Sequence, residues 1–272
     1  MGLNGALQIG RSAILTSQAA ISVAGNNMAN AATPGYHRQI ANLSPSRSDA
    51  IGRNQFVGTG VSLVSVNRAI DYALQSRLRD AISDESAATI DERFLSAVET
   101  IQNELSNDDL SSRLSAFFNA FSELANNPLD DAIRTVVLQQ GVSVADHVNL
   151  IRDEYVTLRQ EADRSLGTSV DRVDGLLGEI ATINQQIAAA EGGQGGTTGG
   201  ANSLRDRRDQ LIDELSGFLD VTTIDQPNGA VDILVGSTPL VLAGESRGLE
   251  LRRESGPDGV EVTVRVGEDG TI

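Results

Sequence analysis

Apolar and small residues recur along the first 28 positions at alternating spacings of four and three: Leu3, Leu7, Gly10, Ile14, Ser17, Ile21, Ala24 and Met28. This spacing predicts an a/d heptad seam on one helix. Arg11 is the helix's one charge, and its outer face is neutral, with Ser12, Thr16, Gln18, Ser22 and Asn26. Such a helix has little to hold it alone and is built to be covered by other helices. The plainer alternative is an amphipathic helix packed on its own domain. Leu3, Leu7, Ile14, Ile21 and Met28 are the candidate assembly residues, expected to bury against helices of the same and adjacent subunits.

A polar break follows at Gly25-Asn26-Asn27-Met28-Ala29-Asn30, then Thr33-Pro34-Gly35-Tyr36. Pro34 keeps Thr33 out of the α region and Gly35 suits the third position of a type II turn, so the chain changes direction here. Residues 37–69 are polar, punctuated by glycine and alternating, which predicts an extended connector with a β-hairpin.

Helical periodicity resumes at Ile70 and continues through Leu74, Leu78, Ile82, Ile90, Phe94, Val98 and Leu105. Asn107-Asp108-Asp109 offers a break and an N-cap for a helix with Leu110, Leu114, Phe117, Phe121 and Leu124, which Asn126-Asn127-Pro128 stops. A very long helix is expected from about Asp130 to Ala190, its stripe marked by Ile133, Val137, Val144, Ile151, Leu158, Val173, Leu176, Ile180, Ile183 and Ile187. The Gly-rich run 192–200 reads as a flexible connector, and Ser203 with Asp206 resembles a capping box opening a last helix. The helices of 70–219 are expected to form one antiparallel bundle.

After Asp220 the period changes to two, giving short strands at 221–224, 231–235, 240–242, 249–251 and 260–266, with Asn228-Gly229 as the clearest hairpin signal. The expected organisation is therefore mainly α: an inner helix and turn at 1–36, a connector at 37–69, an elongated helical bundle at 70–219, and an unfinished β domain at 220–272.

Composition narrows the chemistry. Cysteine is absent, which removes disulfides, thiolate metal sites and a cysteine nucleophile. The net charge of −16 argues against binding nucleic acid. All 21 basic residues are arginine. No apolar run is long enough to span a membrane, and no cleavable signal peptide is recognisable. His37 and His147 form no metal cluster, and His147 falls on the apolar stripe of the long helix. The glycines at 192–200 lack the Lys of a phosphate-binding loop. Asp108-Asp109, Asp130-Asp131 and Asp153-Glu154 read as caps and solvated surface. No catalytic residues, cofactor or metal are expected.

The stretch Ala24 to Gln39 resembles the signature shared by flagellar rod, hook and hook-associated proteins, through Asn26, Asn27, Asn30, Thr33, Pro34, Gly35, Tyr36, Arg38 and Gln39. Phe56-Val57-Gly58-Thr59-Gly60-Val61, the run 127–134 and the run 202–211 extend the likeness to the hook-associated protein 1 family, the hook-filament junction subunits. The resemblance implies an inner coiled-coil domain of paired terminal helices, a helical domain around it and β domains outermost. It also implies export through the flagellar type III channel without a cleaved signal, and an extracellular place in the flagellum. The implied partners are further copies in a ring, hook protein, the second junction protein and an export chaperone acting on a C-terminal segment. Such families return to the core with a C-terminal helix, whereas this chain ends among strands, so a longer protein or a truncated product is expected. A hook or rod subunit, or a secreted coiled-coil scaffold or adhesin, is the alternative.

Overall fold

The computed structural model describes residues 3–52, 55–103, 109–191, 201–256, 259–267 and 270–271. Along the chain run α1 (Leu3–Ala29), β1 (Gln39–Pro45), β2 (Asp49–Gly52), β3 (Gln55–Val57), β4 (Val61–Arg68), α2 (Tyr72–Gln102), α3 (Leu110–Asn126), α4 (Asp131–Glu191) and α5 (Asn202–Ser216). Seven strands follow: β5 (Thr222–Asp225), β6 (Val231–Val235), β7 (Thr238–Leu242), β8 (Glu245–Ser246), β9 (Leu249–Gly256), β10 (Gly259–Val266) and β11 (Gly270–Thr271). The fold is mainly α with a strand-rich C-terminal region, as the periodicities require.

Two compact units emerge, one from residues 1–83 with 170–272 and the other from 84–169. The division cuts through α2 and α4, so the stretch expected to form one bundle contributes to both units. The Gly-rich connector 192–200 and Asn107-Asp108 lie outside the described residues.

In the first unit, the last third of α4 supplies Val173, Leu176, Leu177, Ile180, Ile183 and Ile187 to a core shared with Leu211, Ile212 and Leu215 of α5. Ile233, Leu240, Val241 and Val266 from the strands close that core, each 0% exposed. The strands after Asp220 thus share a helix-on-sheet core with α4 and α5. They form an antiparallel meander, β5-β6-β7-β8, and a separate sheet, β11-β10-β9. Between β5 and β6, Gly229 adopts φ +81, and its amide donates to the Gln226 carbonyl at 2.9 Å.

The second unit is built from helices. Asp109 caps α3 by accepting from the Ser112 amide at 2.8 Å, and Asp130 accepts from the Ala132 amide at 2.8 Å where α4 begins. Phe117 and Phe121 meet edge to face at 4.9 Å. Gly141 leaves room for Phe117, since a Cβ there would stand 3.3 Å from its ring. His147 is half-buried on the inward stripe of α4, and its Nε2 has no hydrogen-bond partner. Among the described residues no cluster of His, Asp or Glu could hold a metal ion, and no helix is long and apolar enough to cross a membrane.

The expected capping box at Ser203 is corrected. The residue before α5 is Ala201, with no side-chain cap, and Asp206 is turned instead toward the N-terminal segment. The carboxylate is more strongly held there by cations than it would be by amides at the end of its own helix.

Candidate assembly surface

Helix α1 carries two stripes. One packs against β1 and β4 of the hairpin and is mostly small or polar, with Ile9 and Val23 as its larger apolar members: Gly5, Ile9, Ser12, Thr16, Ala19, Val23 and Asn27 are buried or half-buried. Thr16, the buried residue of the helix, donates its hydroxyl to the Ser12 carbonyl at 2.8 Å. The Ser12 hydroxyl oxygen accepts from the Val61 amide at 3.3 Å. Close approach here demands glycine: a Cβ on Gly60 would stand 2.2 Å from the Ser12 Oγ, and Gly60 has φ +122. Both facts exclude an ordinary side chain.

The other stripe is the expected heptad seam, and it faces solvent. Leu3, Leu7, Ile14, Ile21 and Met28 are 79%, 63%, 61%, 71% and 81% exposed. The helix therefore packs on its own domain and also presents an apolar seam, because the two patterns occupy different faces. A 27-residue helix extends about 40 Å, so the stripe is long as well as apolar. Its large side chains alternate with Gly10, Ser17 and Ala24, and monomeric proteins rarely leave so long an apolar stripe in water.

The signature residues fix how α1 leaves this surface. Asn27 Oδ1 accepts from the Gln39 amide at 2.8 Å, and Asn27 Nδ2 donates to the Gln39 carbonyl at 2.8 Å. The Tyr36 hydroxyl donates to the same Oδ1 at 2.8 Å. Asn30 Nδ2 donates to the Asn26 carbonyl at 3.0 Å, closing the helix end, and the Thr33 hydroxyl lies 3.4 Å from Asn30 Oδ1. Gly35 has φ +71, and the Tyr36 amide donates to the Thr33 carbonyl at 3.2 Å, which makes the expected type II turn across Pro34-Gly35. Gln210 on α5 donates to the Pro34 carbonyl at 2.6 Å. Arg38 is exposed, and its carbonyl accepts from the Ala69 amide at 2.8 Å.

An ionic rail on α5, which the periodicity did not reveal, holds this segment in place. Asp206, Asp209 and Asp213 stand three and four residues apart, on one face of the helix. Asp206 Oδ1 lies 2.9 Å from His37 Nδ1 and 2.9 Å from Arg68 Nη1. Arg68 also donates to Asp209 at 2.6 Å, and Arg79 Nε donates to Asp213 at 2.7 Å. Burial alone would lower the pKa of Arg68, but Asp209 and Asp206 outweigh it and hold the value above that of an ordinary arginine. Burial, then the charge of Asp206, raises the Tyr36 phenol. The spacing of the three aspartates was the available signal, but nothing in it identifies partners more than a hundred residues away.

The family model for the flagellar hook-associated protein FlgK helical domain matches residues 95–272. Flagellar hook-associated protein 1 of Bacillus subtilis is 35% identical over 79% of this chain and 43% of its own length. The protein of that name from Escherichia coli is 26% identical over 86% of this chain and 42% of its own length. The chain thus spans about two fifths of the curated relatives it matches. In fold it is similar to the flagellar hook junction protein FlgK from Burkholderia pseudomallei, with a TM-score of 0.60 and 22% identity, covering 72% of this chain and 34% of that one.

Proposed function

This chain belongs to the flagellar hook-associated protein FlgK family, and from that membership we propose that it acts as a structural subunit of the hook-filament junction, assembling through the exposed seam of α1. The observation that carries the reading is the division of labour on α1. One face is satisfied by the chain's own hairpin, while Leu3, Leu7, Ile14, Ile21 and Met28 stand in water. Burying each large apolar side chain would contribute about 1.5–3 kcal/mol to assembly.

In this reading the seam meets helices of neighbouring copies in a ring, with hook protein on one side and the second junction protein on the other. An export chaperone and passage through the flagellar type III channel without a cleaved signal belong to the same proposal, as does the extracellular location. Asn26, Asn27, Asn30, Pro34, Gly35 and Tyr36 set the direction in which the chain leaves the inner layer. The role is mechanical rather than catalytic, and no observation favours a hook or rod subunit or a free coiled-coil adhesin.

The test is Ile14→Asp or Ile21→Asp in the gene as it occurs in its organism. The expected result is loss of swimming and of filament attachment, with the circular dichroism of the purified chain unchanged. Normal assembly by both variants overturns the role of the seam.

A further inference from the structure

Helix α1 with β1 to β4 makes an arm of the first unit that is joined to α5 by polar groups. Within the arm, α1 lies on β1 and β4, and the Asn27 side chain closes it on the backbone of Gln39. Across the joint, His37 and Arg68 meet Asp206, Arg68 also meets Asp209, Gln210 donates to the Pro34 carbonyl, and Asn202 donates to the Val66 carbonyl at 2.8 Å. Among the described residues, none before Val170 belongs to the apolar core of this unit, and the partly buried apolar side chains packed on that core include none from the arm. A polar cavity of about 300 Å³ opens at the same joint, with Arg68, Arg79 and Asp209 in its wall.

Breaking such a joint exposes little apolar surface, and each hydrogen bond or ion pair lost is replaced by one to water. The arm runs into α2 through Ala69, Ile70 and Asp71, which belong to no helix or strand. Beyond that point α2 is held without the arm. Asp71 accepts from the Ala73 and Leu74 amides at 3.1 Å, and Arg79 Nε donates to Asp213 of α5 at 2.7 Å.

We propose that α1 with β1 to β4 is a releasable arm, and that its joint to α5 is a charge latch that opens and closes while the core of α4, α5 and the strands stays folded. Opening places His37, Arg68, Asp206 and Asp209 in water, where dissolved salt screens their return, so ionic strength sets the balance. The use of the latch rests on the role of the α1 seam proposed above: a released arm carries the seam to a neighbouring helix without disturbing the core. The latch itself is a property of the free chain, and its test does not depend on the seam.

The chain has no cysteine, so spin labels can be attached to cysteines introduced in pairs at exposed serines. Ser22→Cys on α1 or Ser62→Cys on β4 is combined with Ser237→Cys in the turn between β6 and β7. Double electron-electron resonance should show a narrow, latched distance and a broad, released population. The released population should rise in both pairs together as sodium chloride goes from about 0.05 M to about 1 M. Asp206→Asn should raise the ratio of released to latched arm by about tenfold or more, with amide exchange at Ile233 and Val241 unchanged. If Asp206→Asn does not fold, Gln210→Ala, which loses the contact to Pro34, decides in its place. A narrow distance that neither salt nor the variant changes overturns the proposal. So does broadening of the Ser22 pair alone, which is fraying of α1, and so does broadening accompanied by faster exchange at Ile233 and Val241, which is unfolding of the whole unit.

Discussion

Asn27 grips the backbone of Gln39 as a neighbouring strand would, accepting from its amide and donating to its carbonyl, both at 2.8 Å. Asn184, which is 0% exposed, does the same to Val231, accepting from its amide at 3.1 Å and donating to its carbonyl at 2.8 Å. One clamp ties α1 to the start of β1, and the other ties α4 to β6. Gln39 pairs with Arg68 on one edge and Val231 with Asp225, and on the opposite edge the side-chain amide takes the place of a further strand.

Asn27→Asp should be almost as damaging as Asn27→Ala, because a carboxylate can accept from the Gln39 amide but cannot donate to its carbonyl. Each should cost about 1–3 kcal/mol, read from urea denaturation. Faster amide exchange at Gln39 should accompany both. Equal stability of Asn27→Asp and the unaltered chain would contradict the clamp.

Arg68→Met should leave Asp206 and Asp209, whose side chains are 9% and 10% exposed, without their shared cation. Loss of one partner from such a buried network costs about 3 kcal/mol or more. Adding Asp209→Asn to that variant should restore part of the loss, which a double-mutant cycle in urea would measure. Strict additivity of the two changes would show that they do not interact.

Two glycines on or beside α1 should respond oppositely to alanine. At Gly10 nothing lies within 4 Å of an added Cβ, so Gly10→Ala should stabilise the helix by about 1 kcal/mol. At Gly60, φ +122 and the Ser12 hydroxyl 2.2 Å away make Gly60→Ala destabilising, by about 2 kcal/mol or more. Amide exchange across residues 9–20 reads the difference, slower in the first variant and faster in the second.

Helix α3 should loosen in acid. The Ser112 side-chain and backbone hydrogen bonds hold Asp109 below its ordinary pKa. A carboxylate with a lowered folded value stabilises above its unfolded pKa and loses that contribution as pH falls through the folded value. Asp109→Asn should therefore flatten the acid limb of a pH titration of helicity while leaving neutral pH nearly unaffected. An acid limb as steep as that of the unaltered chain would assign the transition to other carboxylates.

Much of this architecture is legible in order along the chain, because local periodicity is a local property. Leu110 to Leu124 at four-three spacing, Asp109 and Asp130 as caps, the stop at Asn127-Pro128 and the turn at Pro34-Gly35 each depend on residues within a few positions of one another. The heptad seam from Leu3 to Met28 was equally readable, and so was the family signature between Ala24 and Gln39. Tertiary structure decided which face of α1 is covered at home. Gly5, Ser12 and Thr16 are too small and polar to register as an apolar pattern, yet their size is what lets the helix lie against the hairpin. It also turned Asp206 from a cap into the anchor of His37 and Arg68, and joined the strands after Asp220 to α4 and α5 in one core. Those outcomes depend on packing and on charge pairs between residues far apart in sequence, and periodicity carries no record of such partners.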